Sequence, residues 1–170
     1  MSKKVAVNSS DIAKILSIYF ADSTDIEIIQ ADFENNAENY DLVCLEGTEG
    51  EISDALISSS EVINIHYSLL PAFQCKDAIK ISYTSGVKVG GVTIHKVEPA
   101  NFYGKIYAQY PVLIGNTTHF DEYIKELEAV RNKILPVVVE SILNDRVFDF
   151  GDLMKNSCQS GCGNCKGCSH

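Results

Sequence analysis

Residues 62–66 read Val-Ile-Asn-Ile-His, an apolar run that contains one amide and ends on an imidazole. The pattern predicts a β-strand over Val62 to Ile65 that runs straight into His66. Side chains two residues apart on a strand point to the same side, so we expect Asn64 and His66 to share a face. An amide and an imidazole together can polarise a carbonyl group and move a proton. Taken alone, however, an Asn-x-His pair fits a structural histidine better than a ligand site.

Strands and helices alternate on both sides of this segment. Besides residues 62–65, strands are predicted over Lys4–Val7, Asp25–Ile29, Asp41–Leu45, Gly91–Val97 and Ile106–Val112. Helices are predicted after Asn8–Asp11, over Glu51–Ser58 and over Asp77–Thr84. A last helix is predicted to begin at a capping box at Thr118–Asp121, and Pro136 should kink or restart it before Val137–Leu143. Such alternation predicts an open, mostly parallel, Rossmann-like α/β sheet with flanking helices, in which ligands bind beyond the carboxyl ends of the strands.

The composition changes near the end of the chain. The apolar pattern stops after about Asp152, which predicts an α/β domain over 1–152 and a cysteine-rich tail over 153–170. Cys44 and Cys75 stand singly in the body and are interpreted as buried or incidental thiols. Because the other four cysteines are crowded into eleven residues, the six do not form a disulfide framework.

The tail cysteines have the spacing of a soft-metal site. Cys158, Cys162, Cys165 and Cys168 follow a C-x3-C-x2-C-x2-C pattern among Gly, Ser and Asn residues. Four thiolates so close together suit zinc or an iron–sulfur cluster, and the spacing does not choose between them. The alternative is a reduced tail that binds metals opportunistically or exchanges thiols.

Charge and hydropathy exclude some classes of partner. The formal net charge is −9, and Lys and Arg do not cluster, which argues against nucleic acid as the main partner. No apolar run reaches the roughly 18 residues that a membrane span needs. The apolar stretch near the N-terminus is too short for the apolar region of a secretory signal. We therefore expect a cytoplasmic protein that binds a small molecule, with its oligomeric state left open.

Residues 63–73, which read INIHYSLLPAF, resemble the Asn-Ile-His-Pro-Ser-Leu-Leu-Pro signature of the folate-dependent formyltransferases, the glycinamide ribonucleotide type in particular. The resemblance extends over roughly 41–143. It implies a 10-formyltetrahydrofolate donor, a sugar-phosphate amine of purine biosynthesis as acceptor, and Asn64 and His66 as the catalytic pair. The family binds phosphate in a loop after the first strand, where this chain offers Ser9 and Ser10 at a helix N-terminus.

The chain also departs from the family pattern. Phe102 stands where the family has a catalytic Asp, and Tyr67 replaces a signature proline. The phosphate loop has lost its glycines, and the segment Gly47–Glu51 is acidic where the family is apolar and basic. Nearby groups are poor substitutes for the Asp, since Glu98 is interpreted as a solvated carboxylate and His95 as a strand residue. Three hypotheses remain open: an impaired formyltransferase, an inactive binding or regulatory relative, and a metal-handling protein that uses the fold as a scaffold.

Overall fold

A computed structural model describes residues 2–33, 40–47, 52–99 and 102–149. The strands are β1 (Lys3–Val7), β2 (Ile26–Gln30), β3 (Leu42–Glu46), β4 (Glu61–His66), β5 (Val89–Lys96) and β6 (Ile106–Leu113). The helices are α1 (Ser10–Tyr19), α2 (Asp54–Ser59), α3 (Ala78–Thr84) and α4 (Phe120–Leu143). Within these residues no helix is both long enough and apolar enough to cross a membrane.

The six strands form one sheet in the order β2-β1-β3-β4-β5-β6. The pairs β1–β2, β1–β3 and β3–β4 are parallel, whereas β4–β5 and β5–β6 are antiparallel. Five strands therefore run in one direction and only β5 runs against them, which confirms the predicted mostly parallel sheet. The carboxyl ends of β1, β3 and β4 meet at one edge, where the predicted ligand site lies.

Each face of the sheet has its own apolar core. The larger core packs α1 and α4 against one face and includes Ile63 and Ile65 of β4. The smaller core lies on the opposite face with Leu56 of α2, Val62 of β4 and the half-buried Phe102. Because side chains alternate along a strand, Asn64 and His66 share the face of Val62 and point toward the smaller core.

The last helix differs from the prediction in two details. A single helix runs through Pro136, so the predicted restart is wrong; Pro136 and the residues 137–139 after it are buried, and their packing outweighs the loss of one backbone donor. The capping box also lies one residue later than predicted. Glu122 accepts a hydrogen bond of 3.0 Å from the His119 backbone N–H, while Thr118 Oγ1 accepts one of 3.0 Å from Gly115 N–H.

The short helix α2 begins later than predicted. It starts at Asp54 rather than Glu51, because Ser53 is the N-cap residue and its hydroxyl accepts a hydrogen bond of 3.3 Å from Leu56 N–H. Glu51 itself lies outside the described residues.

Candidate active site at the carboxyl end of β4

Asn64 is buried opposite His95 on the neighbouring strand. The two residues are directly paired in the β4–β5 register, and Asn64 Nδ2 lies 3.2 Å from His95 Nε2. His95 Nδ1 lies 3.0 Å from the carbonyl oxygen of Lys96, which can only accept, so Nδ1 carries the proton. Burial lowers the pKa of His95, an effect that the hydrogen bond to Lys96 opposes and the nearby His66 reinforces. The ring is therefore neutral and its Nε2 accepts from the Asn64 amide.

This arrangement fixes the orientation of the Asn64 side chain. Since Nδ2 must donate to His95, the positions of Nδ2 and Oδ1 cannot be exchanged, and Oδ1 is the amide atom that is left to bind another group. Asn64 is 1% exposed, and among the described residues no donor reaches Oδ1. A buried carbonyl oxygen without a partner costs about 1–3 kcal/mol, so it marks a place where a ligand donor would be stabilising.

His66 is held by the carbonyl oxygen of Phe73. His66 Nε2 lies 2.9 Å from this oxygen, which can only accept, so Nε2 carries a proton and donates it. The backbone N–H of Cys75 donates to the same oxygen at 2.8 Å. Phe73 has a φ of +54°, in the left-handed region that side-chain-bearing residues rarely adopt. One carbonyl group in an unusual backbone conformation thus anchors both the imidazole and the Cys75 main chain.

Polar side chains of β5 and β6 fix the loop after β4. Thr93 Oγ1 donates to the Ser68 carbonyl oxygen at 2.6 Å and accepts from Leu70 N–H at 3.2 Å. Gln109 Nε2 donates to the Leu70 carbonyl oxygen at 2.8 Å. Leu69 packs against the backbone of Gly91, where an added Cβ would lie only 2.5 Å from Leu69 Cδ2. The signature loop is therefore held rigidly over the sheet.

A cavity of about 140 Å³ opens beside these groups. Its lining consists of Gly47 after β3, residues 64–67 at the end of β4, and Cys75, Lys76, Ala78 and Ile79. This volume is close to the roughly 150 Å³ of protein cavities that hold one benzene molecule. Among the described residues that line the cavity there is no carboxylate, and their polar side chains are an amide, an imidazole, a thiol, a phenol and an ammonium.

Two aromatic rings lie beside the histidines. The Phe102 ring lies edge-on to His95, with 5.7 Å between centroids. Tyr103 is next to both histidines, at 5.4 Å from the His66 ring and 5.5 Å from the His95 ring. Phe102 also packs into the smaller core. Phe102 and Tyr103 thus form an aromatic wall beside the histidines.

A second polar cluster lies on the opposite face of β4. Tyr67 donates its hydroxyl hydrogen to Glu46 Oε1, and Arg131 of α4 donates to the same carboxylate oxygen. Burial raises the pKa of Tyr67, and the adjacent Glu46 carboxylate raises it further. Tyr67 is thus tied into an ion-pair network, although it also lines the cavity.

The predicted phosphate-binding residues lie at the same sheet edge but outside the cavity. Ser9 is the N-cap residue of α1 and its side chain makes no capping hydrogen bond, and Ser10 opens the helix with an exposed side chain. Asn8 connects two strand ends, since it donates to the Glu46 carbonyl oxygen at 3.0 Å and accepts from Glu46 N–H at 2.9 Å. Asp11 lies 3.8 Å from Lys14 on the exposed side of α1.

The other predicted residues are placed as follows. Cys44 is fully buried in β3, and burial raises the pKa of its thiol above the ordinary range, so it is a core residue as expected. Cys158, Cys162, Cys165 and Cys168, which are predicted to bind a metal, lie outside the described residues, as does Asn101. Among the described residues, His, Cys, Asp and Glu side chains do not cluster into a metal site.

Sequence reasoning missed three contributors to the site. His95 was interpreted as a strand residue, which it is, but its pairing with Asn64 depends on a cross-strand register that local sequence does not reveal. Phe73 acts through its backbone carbonyl, which is independent of its side chain. Cys75 was interpreted as incidental, and the only available signal was its nine-residue separation from His66 within one continuous motif.

The fold agrees with comparisons to known proteins. The family model for formyl transferases matches residues 23–139. The phosphoribosylglycinamide formyltransferase of Bacillus subtilis is 33% identical over 105 residues, which cover 61% of this chain and 54% of that protein. A mitochondrial formyltetrahydrofolate deformylase of Arabidopsis thaliana is 30% identical over 91 residues, covering 54% of this chain and 28% of that protein.

A solved structure extends the likeness to the fold. The phosphoribosylglycinamide formyltransferase of Anaplasma phagocytophilum superimposes with a TM-score of 0.71 at 22% identity, covering 85% of this chain and 88% of that one. The chain spans about half the length of the B. subtilis relative and less than a third of the Arabidopsis one. Since the family model matches more than half of the sequence, the chain belongs to the formyl transferase family.

Proposed function

We propose that the chain transfers a formyl group from 10-formyltetrahydrofolate to an amine of the glycinamide ribonucleotide type, with Asn64 and His66 as the catalytic pair. The observation that carries the proposal is the buried Asn64 Oδ1, which has no partner among the described residues and belongs to a side chain that lines the cavity together with His66. A family member with an amide and an imidazole beyond the end of a central strand has the groups that formyl transfer requires.

Each group of the pair has a distinct role in this reaction. One Asn64 N–H is used by His95, and the other is available to the formyl oxygen as negative charge develops on it. Asn64 Oδ1 accepts a hydrogen from the attacking amine and so orients its lone pair toward the formyl carbon. The His66 imidazole takes the proton that the amine loses as the carbon–nitrogen bond forms.

The acceptor's phosphate is proposed to bind at the N-terminus of α1. The first backbone N–H groups of this ten-residue helix, together with the Ser9 and Ser10 hydroxyls, suit an anion. This position shares the sheet edge with the cavity, so a substrate that extends along the edge could place its amine beside Asn64.

The aromatic pair Phe102–Tyr103 makes the proposed enzyme slower than a member with the carboxylate. Neither ring can hold the charge of a protonated His66, and the described part of the cavity lining offers no carboxylate to do so. We therefore expect weak transfer in the natural sequence and faster transfer after Phe102→Asp.

The test measures tetrahydrofolate release and formylated product with glycinamide ribonucleotide as acceptor. His66→Ala and Asn64→Ala should each lower the rate by about a hundred- to ten-thousand-fold, the usual contribution of a positioned acid–base group. His119→Ala is the matched control, since this exposed histidine lies at the start of α4, away from the cavity. Absence of transfer in both the natural chain and Phe102→Asp would disprove the proposal.

The aromatic wall favours a second candidate function. A formyl transferase fold without catalysis could act as a binding or regulatory protein whose tail holds zinc or an iron–sulfur cluster through Cys158, Cys162, Cys165 and Cys168. This candidate predicts donor binding without turnover by calorimetry. It also predicts stoichiometric metal or iron and sulfide that disappear when the four cysteines are replaced by serine, whereas retained metal would rule out the tail as the site.

A further inference from the structure

We infer that His95 is a positioning residue that turns the Asn64 amide so that its Oδ1 is left to accept a hydrogen bond from the ligand. The inference rests on the proposed formyl transfer and adds to it a residue that acts through another. The described residues that line the cavity include Asn64 and His66 but not His95, so His95 is placed to act on Asn64 rather than on the substrate.

A backbone carbonyl group determines which nitrogen of His95 carries the proton. The Lys96 carbonyl oxygen accepts a hydrogen bond of 3.0 Å from Gly104 N–H, and His95 Nδ1 lies 3.0 Å from the same oxygen. An added Cβ on Gly104 would lie only 2.8 Å from this oxygen, so the backbone at Gly104 packs closely against the carbonyl group. The reverse tautomer would set the Nδ1 lone pair against a carbonyl oxygen and leave a hydrogen bond unmade, while burial disfavours the charged ring.

The strand register carries this choice across the sheet to Asn64. The two residues are paired directly between β4 and β5, and the lone pair on His95 Nε2 faces Asn64 Nδ2 at 3.2 Å. If Oδ1 took the place of Nδ2, two acceptors would face each other. The Oδ1 that has no partner among the described residues is therefore a consequence of the Lys96 carbonyl group, two hydrogen bonds away. A ligand group that binds there must be an N–H or O–H donor, which the attacking amine provides.

Two aromatic side chains keep the His95 ring in this orientation. The Phe102 ring lies edge-on to it with 5.7 Å between centroids, and the Tyr103 ring is tilted against it at 5.5 Å. The His95 side chain is fully buried. Rotation of the imidazole by half a turn would exchange its nitrogen and carbon atoms, so this packing is needed to keep Nε2 on Asn64.

The first arm of the test measures the tautomer, with no substrate present, from long-range proton–nitrogen NMR correlation spectra of the isotope-labelled full chain near neutral pH. His95 should be the neutral Nδ1–H tautomer, and one hydrogen of the Asn64 side-chain amide should be shifted by its bond to the imidazole. Asn64→Leu should keep the tautomer, because the Lys96 carbonyl group sets it. His95→Leu should abolish the shift of the Asn64 amide hydrogen.

The second arm measures formyl transfer from 10-formyltetrahydrofolate to glycinamide ribonucleotide. His95→Leu should lower kcat by about tenfold to a hundredfold with little change in KM, because Asn64 stays in place but its amide is no longer held in one orientation. His95→Gln is the conservative variant, since a glutamine can place its amide oxygen where Nε2 lies and accept from Asn64 Nδ2. It should lose less kcat than His95→Leu, and circular dichroism spectra of both variants check that they fold.

The two arms separate failure of the inference from failure of the proposed function. An Nε2–H tautomer in the folded chain would overturn the role of His95 and leave the proposed transfer by Asn64 and His66 standing. Equal values of kcat in the natural chain, His95→Gln and His95→Leu would overturn it as well. Absence of transfer in both the natural chain and Phe102→Asp, with the Nδ1–H tautomer and the shifted Asn64 amide hydrogen both observed, would overturn the proposed function alone and support the orientation of Asn64 by His95.

Discussion

Two polar clusters lie at the end of β4, one residue apart and on opposite faces of the sheet. On one face, His66 and Asn64 form a cluster with His95 in which one buried oxygen has no partner among the described residues. On the other face, Tyr67 and Arg131 both donate to Glu46. The first cluster is buried and the second partly buried, and they also differ in how completely their hydrogen-bonding capacity is used.

This difference separates a stabilising role from a functional one. A buried network whose members satisfy one another fixes the packing of α4 on the sheet and offers little to a ligand. A buried acceptor left without a donor lowers stability, and it is retained where a ligand supplies the missing group. We therefore expect damage to the Glu46 cluster to appear in the free energy of unfolding and damage to the Asn64 cluster to appear in chemistry.

The largest expected effect comes from removing one charge of the Glu46 cluster. Arg131→Met should lower the free energy of unfolding by about 3 kcal/mol, because Glu46 would keep a poorly solvated charge without its cation. Urea denaturation followed by circular dichroism measures the change. The double variant Glu46→Gln with Arg131→Met is the matched control and should lose less than the single variant. If Arg131→Met lowered the free energy of unfolding by less than about 1 kcal/mol, this ion pair would contribute no more than an exposed surface salt bridge does.

A smaller effect should come from the protonation of His95. Burial lowers its pKa in the folded chain, so the unfolded chain, with an ordinary pKa near 6.5, binds the proton more tightly. Stability is therefore present above about pH 6.5 and is lost as the pH falls, with a slope of at most about 1.4 kcal/mol per pH unit. Protonation would also turn His95 Nε2 into a donor facing the Asn64 N–H.

The measurement is the free energy of unfolding from about pH 7 to about pH 5 in the natural chain and in His95→Gln. The free energy of unfolding of His95→Gln should depend less steeply on pH than that of the natural chain. Equal slopes in the natural chain and His95→Gln would mean that His95 is protonated as readily in the folded state as in the unfolded one.

The comparison also shows what the sequence could predict. Local patterns were sufficient for the strand that ends at His66 and for the shared face of Asn64 and His66, because both follow from the period of two residues along a strand. The alternation of strands with helices was sufficient for the mostly parallel sheet. The path of α4 through Pro136 could not be predicted, because packing of residues 137–139 in the core overrides a local preference.

The contents of the two clusters were beyond local reasoning for a different reason. Asn64 and His95 are 31 residues apart, and Glu46 and Arg131 are 85 apart, so each contact depends on the finished fold. The Phe73 carbonyl group that holds His66 carries no side-chain signal at all. Resemblance predicts that Phe102 stands at the carboxylate position, and its edge-on contact with His95 could be found only from coordinates.

The smallest expected effects on stability, taken as a matched pair, test the comparison most directly. Tyr67→Phe removes a satisfied hydroxyl and should cost about 1 kcal/mol while leaving formyl transfer nearly unchanged. Asn64→Leu removes an unpartnered oxygen, and this change is stabilising. It also deprives His95 Nε2 of its donor, which is destabilising by a similar amount. The free energy of unfolding should therefore change by less than about 0.5 kcal/mol. Transfer should nevertheless be lost in Asn64→Leu, because a leucine can neither donate to the formyl oxygen nor accept from the amine. Urea denaturation and the transfer assay on the same preparations decide the matter: if Asn64→Leu destabilised the chain more than Tyr67→Phe did, the Asn64 cluster would belong to the architecture of the sheet rather than to its chemistry.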